Sequence, residues 1–588
     1  MNLSRQFFSR SRLKILDIII WLVMFWVIFG GVSCRQKPFL FPMDKERVGL
    51  TPEGRTILPV NQILQPYGQQ LPLPGLRPLG LAISPNEKIV VVTGKTSELW
   101  VIDPAAVKII QKVPFPSEKQ TAAPPAPSSA NILQPDTKGQ ISYTGIVFSP
   151  EGQWLYLSNV NGSIKVFSVD ENGHIQPSHS LKLPPANAPR RKAEIPAGLA
   201  LSEDGQRLYV CGNLSNRLLE ISTESGQLLR AFEVGVAPYD VVLVGEKAYV
   251  SNWGGRRPAA GDLVGPAGRG TVVKVDPEKF IACEGSVSVI DLSTGQTVKE
   301  IIVHLHSSDL ILSPDGRYLV CANAASDNLS VVDIRKDEVV ETIWVKRSPG
   351  DLFGASPNAL CFSPAGKTLL VANGTQNAVA VIDFKPAKKD SRLKGLIPVG
   401  WFPGALSWDK TRNKLWVANI KGHAPKPKKD KKTGMVGFNS HQYYGSLTVF
   451  SLPDKKELKQ LTRRTFLNFH QARIKQALKP PRHRVRPRPI PERIGEPSLI
   501  KHVVYIIKEN RTYDQVLGDV PEGNGEPSLC IFGQEVTPNQ HKLVREFVLL
   551  DNIYCSGILS ADGHQWSTTA FGTDYLEKSF AGWPRSYP

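Results

Sequence analysis

The sequence predicts a mainly β chain: a ring of seven β-sheet blades over residues 50–455, followed by a shorter α/β segment over 499–588. Three observations predict it. One strand–turn–strand pattern recurs seven times between residues 79 and 455. The copies are built from strand-type runs, so they suit blades rather than a helical solenoid. After residue 498 the pattern stops, and an apolar, β-branched run ends in a carboxylate and an amide.

Residues 1–34 read as a leader. Arg5, Arg10, Arg12 and Lys14 precede the nearly all-apolar stretch ILDIIIWLVMFWVIFGGVS at 15–33. That is the composition of a signal peptide or an N-terminal anchor. Gly31-Val32-Ser33-Cys34 resembles the cleavage box of bacterial lipoproteins, with Gly31 in place of the usual aliphatic residue. The resemblance implies lipidation at Cys34. The basic flank predicts that everything beyond residue 34 lies outside the cytoplasm. The expectation is an exported protein of the periplasm, cell envelope or outer surface, held at a membrane by anchor or lipid.

The blades come next. The copies are LAISPNEKIVVVTG…LWVID (81–103), IVFSPEGQWLYLSN…IKVFS (146–168), LALSEDGQRLYVCGN…LLEIS (199–222), VVLVGEKAYVSN…VSVID (241–291), LILSPDGRYLVCAN…LSVVD (310–333), LCFSPAGKTLLVAN…VAVID (360–383) and LSWDKTRNKLWVAN…LTVFS (406–451). Ser-Pro-x-Gly supplies a turn between two strands, and Asp-Gly and Asn-Gly favour tight hairpins. Dense Val, Leu and Ile runs bury both faces. One unit cannot cover its own sheet, so copies must stack. Residues 51–75 offer a strand to close the ring. The strings LYVCGN, AYVSN, YLVCAN, LLVAN and LWVAN resemble the YVTN family of bacterial β-propellers. Two copies carry insertions at the same point, 256–284 and 420–444, which predicts projection from one propeller face. Such a face could bind a protein or a glycan, or the insertions could be plain surface loops.

Residues 456–498 read as a linker: a basic helix over Leu458–Leu478, then the Pro/Arg-rich KPPRHRVRPRPIPERIGEP, an extended spacer. Net charge is +18. The excess clusters in the leader, in KPKKDKK at 426–432 and in this linker, so solvated loops explain it and no nucleic-acid partner is expected. The seven cysteines form no CxxC pair, which gives no zinc-ribbon or thioredoxin signature. Cys211, Cys321 and Cys361 fall in strand-type runs as small buried hydrophobes.

The α/β segment carries the candidate chemistry. Val503 to Ile507 read as a buried strand that delivers Glu509 and Asn510 to its C-terminal end, the edge where ligand sites gather in open α/β sheets. Phe547 to Tyr554 is a second strand candidate. Ser560-Ala561-Asp562-Gly563-His564 then places a hydroxyl, a carboxylate and an imidazole around a glycine, before a helix through Trp566 and Ala570. Ser567, Thr568 and Thr569 are rival hydroxyls. HVVYIIKENRTYDQVLGD at 502–519 resembles the opening of the bacterial phosphoesterase family, acid phosphatases and phospholipases C of the alkaline phosphatase superfamily. The resemblance implies an alkaline-phosphatase-like α/β domain that needs divalent metal ions and acts on phosphate esters. It implies Glu509 as a metal ligand, Asn510 on metal or phosphate, and Arg511 on an anion or bracing Asp514. The Ser-x-x-Gly-His spacing resembles nucleophile turns of that superfamily, implying Ser560 as nucleophile with His564 holding the turn or touching phosphate. The family's metal ligands fall mostly late in its domain. Here only His502, His541 and His564 follow residue 500, so 499–588 is expected to be the N-terminal part of such a domain. The alternative is a non-catalytic envelope-binding propeller with a relic tail.

Overall fold

The computed structural model describes residues 48–579, apart from 95, 117–140, 349, 352–353, 424–427, 430–435, 438–442, 555, 558–559 and 571. The leader, including Cys34, lies outside the described residues. Among the described residues, no helix is long and apolar enough to cross a membrane.

Seven four-stranded antiparallel sheets follow one another around a ring. Their innermost strands are Pro78–Ile83, Ile141–Phe148, Pro196–Leu201, Pro238–Val244, Ser307–Leu312, Pro357–Phe362 and Trp401–Asp409, taken here as blades 1 to 7. Each innermost strand neighbours the next, and that of blade 7 returns to that of blade 1. Blade 7 takes its outermost strand from the other end of the chain. Gln69–Pro72 pairs with Tyr444–Phe450, Pro72 opposite Ser446 and Gln69 opposite Val449.

The repeat motifs act locally. In blades 1, 2, 3 and 5 the turn serine accepts a hydrogen bond from the backbone N–H that starts the second strand, as Ser313 Oγ does from Tyr318 at 2.9 Å. The residue ending the turn sits at positive φ, glycine in blades 2, 3 and 5 (+67° at Gly316) and Glu87 in blade 1 (+54°), a conformation a side chain resists. The aspartate ending the third strand caps the next turn; Asp291 Oδ1 accepts from the N–H of Ser293 and Thr294. Central strands such as Tyr318–Asn323 are buried throughout, while outer strands such as Leu228–Glu233 face solvent at most positions. Cys211, Cys321 and Cys361 are buried, and burial pushes the Cys361 thiol up to about 12.

Blades touch closely where side chains are absent. A Cβ on Gly145 would lie 1.9 Å from Ser158 Oγ and 2.1 Å from the Ala197 carbonyl of the next blade. That carbonyl accepts the Ser158 hydroxyl at 2.6 Å. Gly145→Ala is therefore expected to cost about 1–3 kcal/mol by overpacking a seam that cannot yield. Urea unfolding checks it, and an unchanged midpoint would show that the seam opens freely.

Both insertions leave between the second and third strands of their blades, blade 4 and blade 7. The first folds into a small hairpin, Val264–Pro266 against Val272–Lys274. Of the second, only short pieces are among the described residues. The helix expected at 458–478 is two helices, α1 (Lys455–Asn468) and α2 (Gln471–Ala477), broken at His470 with φ +55°. α1 packs on blade 6, where Thr462 Oγ1 accepts the Leu396 N–H at 2.9 Å. The expected extended spacer instead folds back: Arg482 grips Glu496 at 2.6 and 2.8 Å, and Arg488 pairs with Glu492.

The α/β expectation meets a difference. Val503–Ile507 and Phe547–Tyr554 are not strands. No strand is described after Phe450, and Val503 and Val548 are 83% and 70% exposed. Composition favours strand there, but a strand needs neighbours to take its N–H and C=O groups. Neither run finds one among the described residues. Short helices α3 (Tyr513–Leu517), α4 (Pro538–Glu546), α5 (Ser560–Thr569) and α6 (Asp574–Ser579) complete the segment.

Candidate functional site

Two places in the molecule gather reactive groups. The first joins two sequence strings that lie far apart in the chain. His564, on α5, sets Nε2 2.8 Å from Glu509 Oε2, and both side chains are about half exposed. Ser560 is the first residue of α5, four positions before His564. The Ser560 side chain, like those of Asp562 and Thr569, lies outside the described residues. Thr568 turns its hydroxyl back to the His564 carbonyl at 2.8 Å, a bond that ties it to its own helix.

Asn510 is exposed, and its carbonyl accepts from Arg511 Nη1 at 2.7 Å. Arg511 lies over the Phe532 ring, 4.9 Å from its centroid. It does not brace Asp514, which accepts the Glu526 N–H at 2.9 Å instead. Two further carboxylates are structural. Asp519 accepts from the buried His541 at 2.8 Å, and Asp551 accepts the Asn524 N–H at 2.7 Å. Those bonds hold both carboxyls below the usual range, through His541 first for Asp519 and through the Asn524 N–H first for Asp551. Among the described residues no group of three or more His, Cys, Asp or Glu is placed to hold a metal ion. Glu509 and His564 offer two donors. That suits a hard cation completing its shell with water and phosphate oxygen, and falls short of an all-protein cage.

The second place is the ring axis, which the sequence reading missed. Helix α6 sits in the mouth of the central channel. Its side chains meet blades 2, 4, 5, 6 and 7, which only an axial position allows. Lys578 Nζ donates to the Tyr239 hydroxyl at 2.6 Å and to the Asn358 carbonyl at 3.1 Å. Glu577 pairs with Lys421 at 2.7 Å, both side chains 0% exposed. Asp574 accepts the Ser308 hydroxyl at 3.0 Å, and its Oδ1 lies 2.7 Å from His306 Nε2. Tyr575 meets Trp253 edge-on at 5.3 Å. Trp253 is fully buried among Tyr143, Tyr239 and a stacked His306.

The electrostatics of the mouth follow from burial. Asp240 and Asp309 line it from the innermost strands of blades 4 and 5. Desolvation pushes both carboxyls up; the Asp240 charge adds to the push on Asp309, driven well above the usual range, while a side-chain hydrogen bond with Asp309 works to lower Asp240. Burial pushes the Lys578 ammonium down, against the attraction of Asp574, Asp309 and Asp240. Burial also works against the Asp574 charge, but His306, Lys578 and the Ser308 hydroxyl outweigh it and hold that carboxyl low. The insertion in blade 4 springs from beside Trp253, and that in blade 7 from beside Lys421, so both roots touch α6.

One signal for this site was present in the sequence. Asp240 and Asp309 precede the apolar strand at a position where blades 1 to 3 have Gly80, Gly145 and Gly198. A repeat that abandons glycine for acid in two adjacent copies marks a place where something cationic sits.

The comparisons concern the ring. Residues 283–396 match the family model "Lactonase, 7-bladed beta-propeller". No curated protein matches. Among solved structures, a chain of Kuenenia stuttgartiensis hydrazine synthase is similar at 16% identity, with 60% of this chain and 94% of that chain covered and a TM-score of 0.43. The structure of U3-55K is similar at 10% identity, with 66% and 100% covered and a TM-score of 0.45. The ring described here is thus a β-propeller of seven four-stranded sheets, and over 283–396 its sequence is similar to the lactonase-type seven-bladed propellers.

Proposed function

We propose that this chain is an exported, membrane-held propeller protein whose C-terminal segment belongs to a phosphate-ester hydrolase. One observation carries the reading: Glu509 and His564, in two separately recognised strings, meet at 2.8 Å. Glu509 and His564 together would hold a divalent cation, with Asn510 and Arg511 facing phosphate oxygens. Such a cation, when bound, lowers the pKa of a hydroxyl and screens the charge on phosphate. Ser560 Oγ would attack phosphorus; the Ser–O–P bond forms as the ester P–O bond breaks, and the alcohol leaves with a proton. Water then releases phosphate from the serine. Anchoring would run through the apolar leader or a lipid on Cys34.

The test is phosphate release from 4-nitrophenyl phosphate by the protein expressed from its complete gene, with Mg²⁺, Mn²⁺ or Zn²⁺ and after chelation. We expect metal-dependent turnover, and in Glu509→Ala a loss of about 10²-fold or more. Unchanged turnover in that variant would remove Glu509 from the site. Mn²⁺ binding followed by its EPR signal gives a second readout independent of turnover.

A second reading, a binding propeller without catalysis, is favoured by the axis. The tail inserts a helix into the channel mouth as a ligand of the ring would, and its two apolar runs stay unpaired. A protein or glycan would then be the partner of the propeller face. Absence of turnover with every metal, from the complete gene product, would decide for this reading.

A further inference from the structure

We propose that the mouth of the axial channel is a binding site for a primary ammonium group, occupied here by Lys578 and open to an alkylammonium or lysine side chain from outside when α6 is withdrawn. The proposal goes beyond the phosphoesterase reading and does not depend on it.

An ammonium ion taken from water needs acceptors for its three N–H bonds, negative charge nearby, and an aromatic face where space remains. The mouth supplies two such acceptors, nearby acids and an aromatic face. The Lys578 side chain is buried, with Nζ 2.6 Å from the Tyr239 hydroxyl and 3.1 Å from the Asn358 carbonyl. It lies over the Tyr239 ring, 5.2 Å from the centroid. Burial opposes its charge, while the attraction of Asp574, Asp309 and Asp240 favours a cation there. These groups come from blades 4, 5 and 6 and from α6 itself, so the pocket is a product of ring closure.

The two ring acids have other work, and it leaves them available. Asp240 Oδ2 accepts the Leu310 N–H at 3.0 Å, and Asp309 Oδ2 accepts the Leu360 N–H at 2.6 Å. Each thus ties its blade to the next with one oxygen. A tie alone does not require an acid, since the corresponding positions in the other blades are Gly80, Gly145, Gly198, Ala359 and Ala405. Nor does it call for a second acid beside the first, where the Asp240 charge pushes the buried Asp309 carboxyl further up. A nearby cation opposes that push, as Lys578 does for both acids. The acids occur only in the blades that flank the ammonium.

The experiment is chemical rescue in the full chain. Lys578→Ala deletes the ammonium and leaves its pocket. The melting temperature is measured against n-butylammonium chloride, with sodium chloride at equal ionic strength as control. We expect the variant to melt below the parent, and n-butylammonium to restore most of the difference saturably. The parent, whose pocket is filled, should not respond. In Lys578→Ala with Asp309→Asn the half-saturating concentration should rise about tenfold, the loss of one acid that attracts the ammonium. Equal responses to n-butylammonium and sodium, or equal titration curves in the single and double variants, would overturn the proposal. Should Lys578→Ala fail to fold, refolding yield with and without n-butylammonium is read instead. A rise supports the site and no rise overturns it. None of these readouts involves phosphate release, so failure here is separate from failure of the hydrolase reading.

Discussion

Lys421→Met is expected to expel α6 from the channel. Lys421 and Glu577 are both 0% exposed and 2.7 Å apart, and the Lys421 ammonium also lies over the Trp401 ring at 4.4 Å. Methionine keeps the length and loses the charge. Glu577 then loses the ammonium it pairs with, and breaking a buried ion pair by removing one partner costs about 3–5 kcal/mol. A six-residue helix can avoid that cost by leaving, while the ring cannot. The penalty should therefore appear as local opening, not as loss of the propeller. Amide exchange at Tyr575–Lys578 should accelerate on the order of 10²-fold or more, with blade strands unaffected. Lys421→Met with Glu577→Leu should restore protection, because two apolar side chains of similar volume replace a buried pair at little net cost. If the double variant exchanges as fast as the single one, the ion pair is not what holds the helix.

Trp253→Ala should have the largest effect on the ring itself. The indole is fully buried and contacts four rings: Tyr143 at 4.7 Å, Tyr239 at 4.6 Å, His306 at 4.8 Å and Tyr575 at 5.3 Å between centroids. Truncating a buried tryptophan costs about 3–5 kcal/mol, through lost transfer energy and the cavity left behind. Three of the neighbours belong to blades 2, 4 and 5, which cannot close in without shifting strands, and the fourth, Tyr575, is on α6. The midpoint of urea unfolding should fall with little change in slope, and Trp253→Phe should cost less than Trp253→Ala. A loss under about 1 kcal/mol would mean that the cluster collapses into the space, contrary to the close packing described.

The blades were legible because each repeat motif has a local mechanism. Ser-Pro-x-Gly closes its hairpin through a serine hydroxyl and a glycine at positive φ, and the final aspartate caps its own turn. Nothing distant has to be known. Glu509 and His564 were each picked out from their own strings, though their meeting could not be read from either. The apolar runs at 503–507 and 547–554 show the limit of composition. It reports that a segment would suit a sheet, not that the sheet is there. The axial helix was invisible for a related reason. Asp574, Glu577 and Lys578 look like the solvated face of a short helix, since charged residues are almost never fully buried unless paired. Their partners, Ser308, Lys421 and Tyr239, lie 156 to 339 positions away in sequence. Likewise Leu458–Leu478 has helical composition throughout, but the chain breaks at His470, whose ring meets the carbonyl of the distant Asn61.

The strand Gln69–Pro72 completes a sheet whose other members end at Phe450. During synthesis, then, nearly four hundred residues must emerge before the first strand can find its place. Until that moment Gln69–Pro72 is a strand without a sheet, its hydrogen-bonding groups bare, the kind of template on which chains stick to each other. Contacts of such long sequence separation are reached late and slowly. Assembly of this molecule is thus gated by arrival of its last blade, and the interval before the latch engages is when it most needs a chaperone.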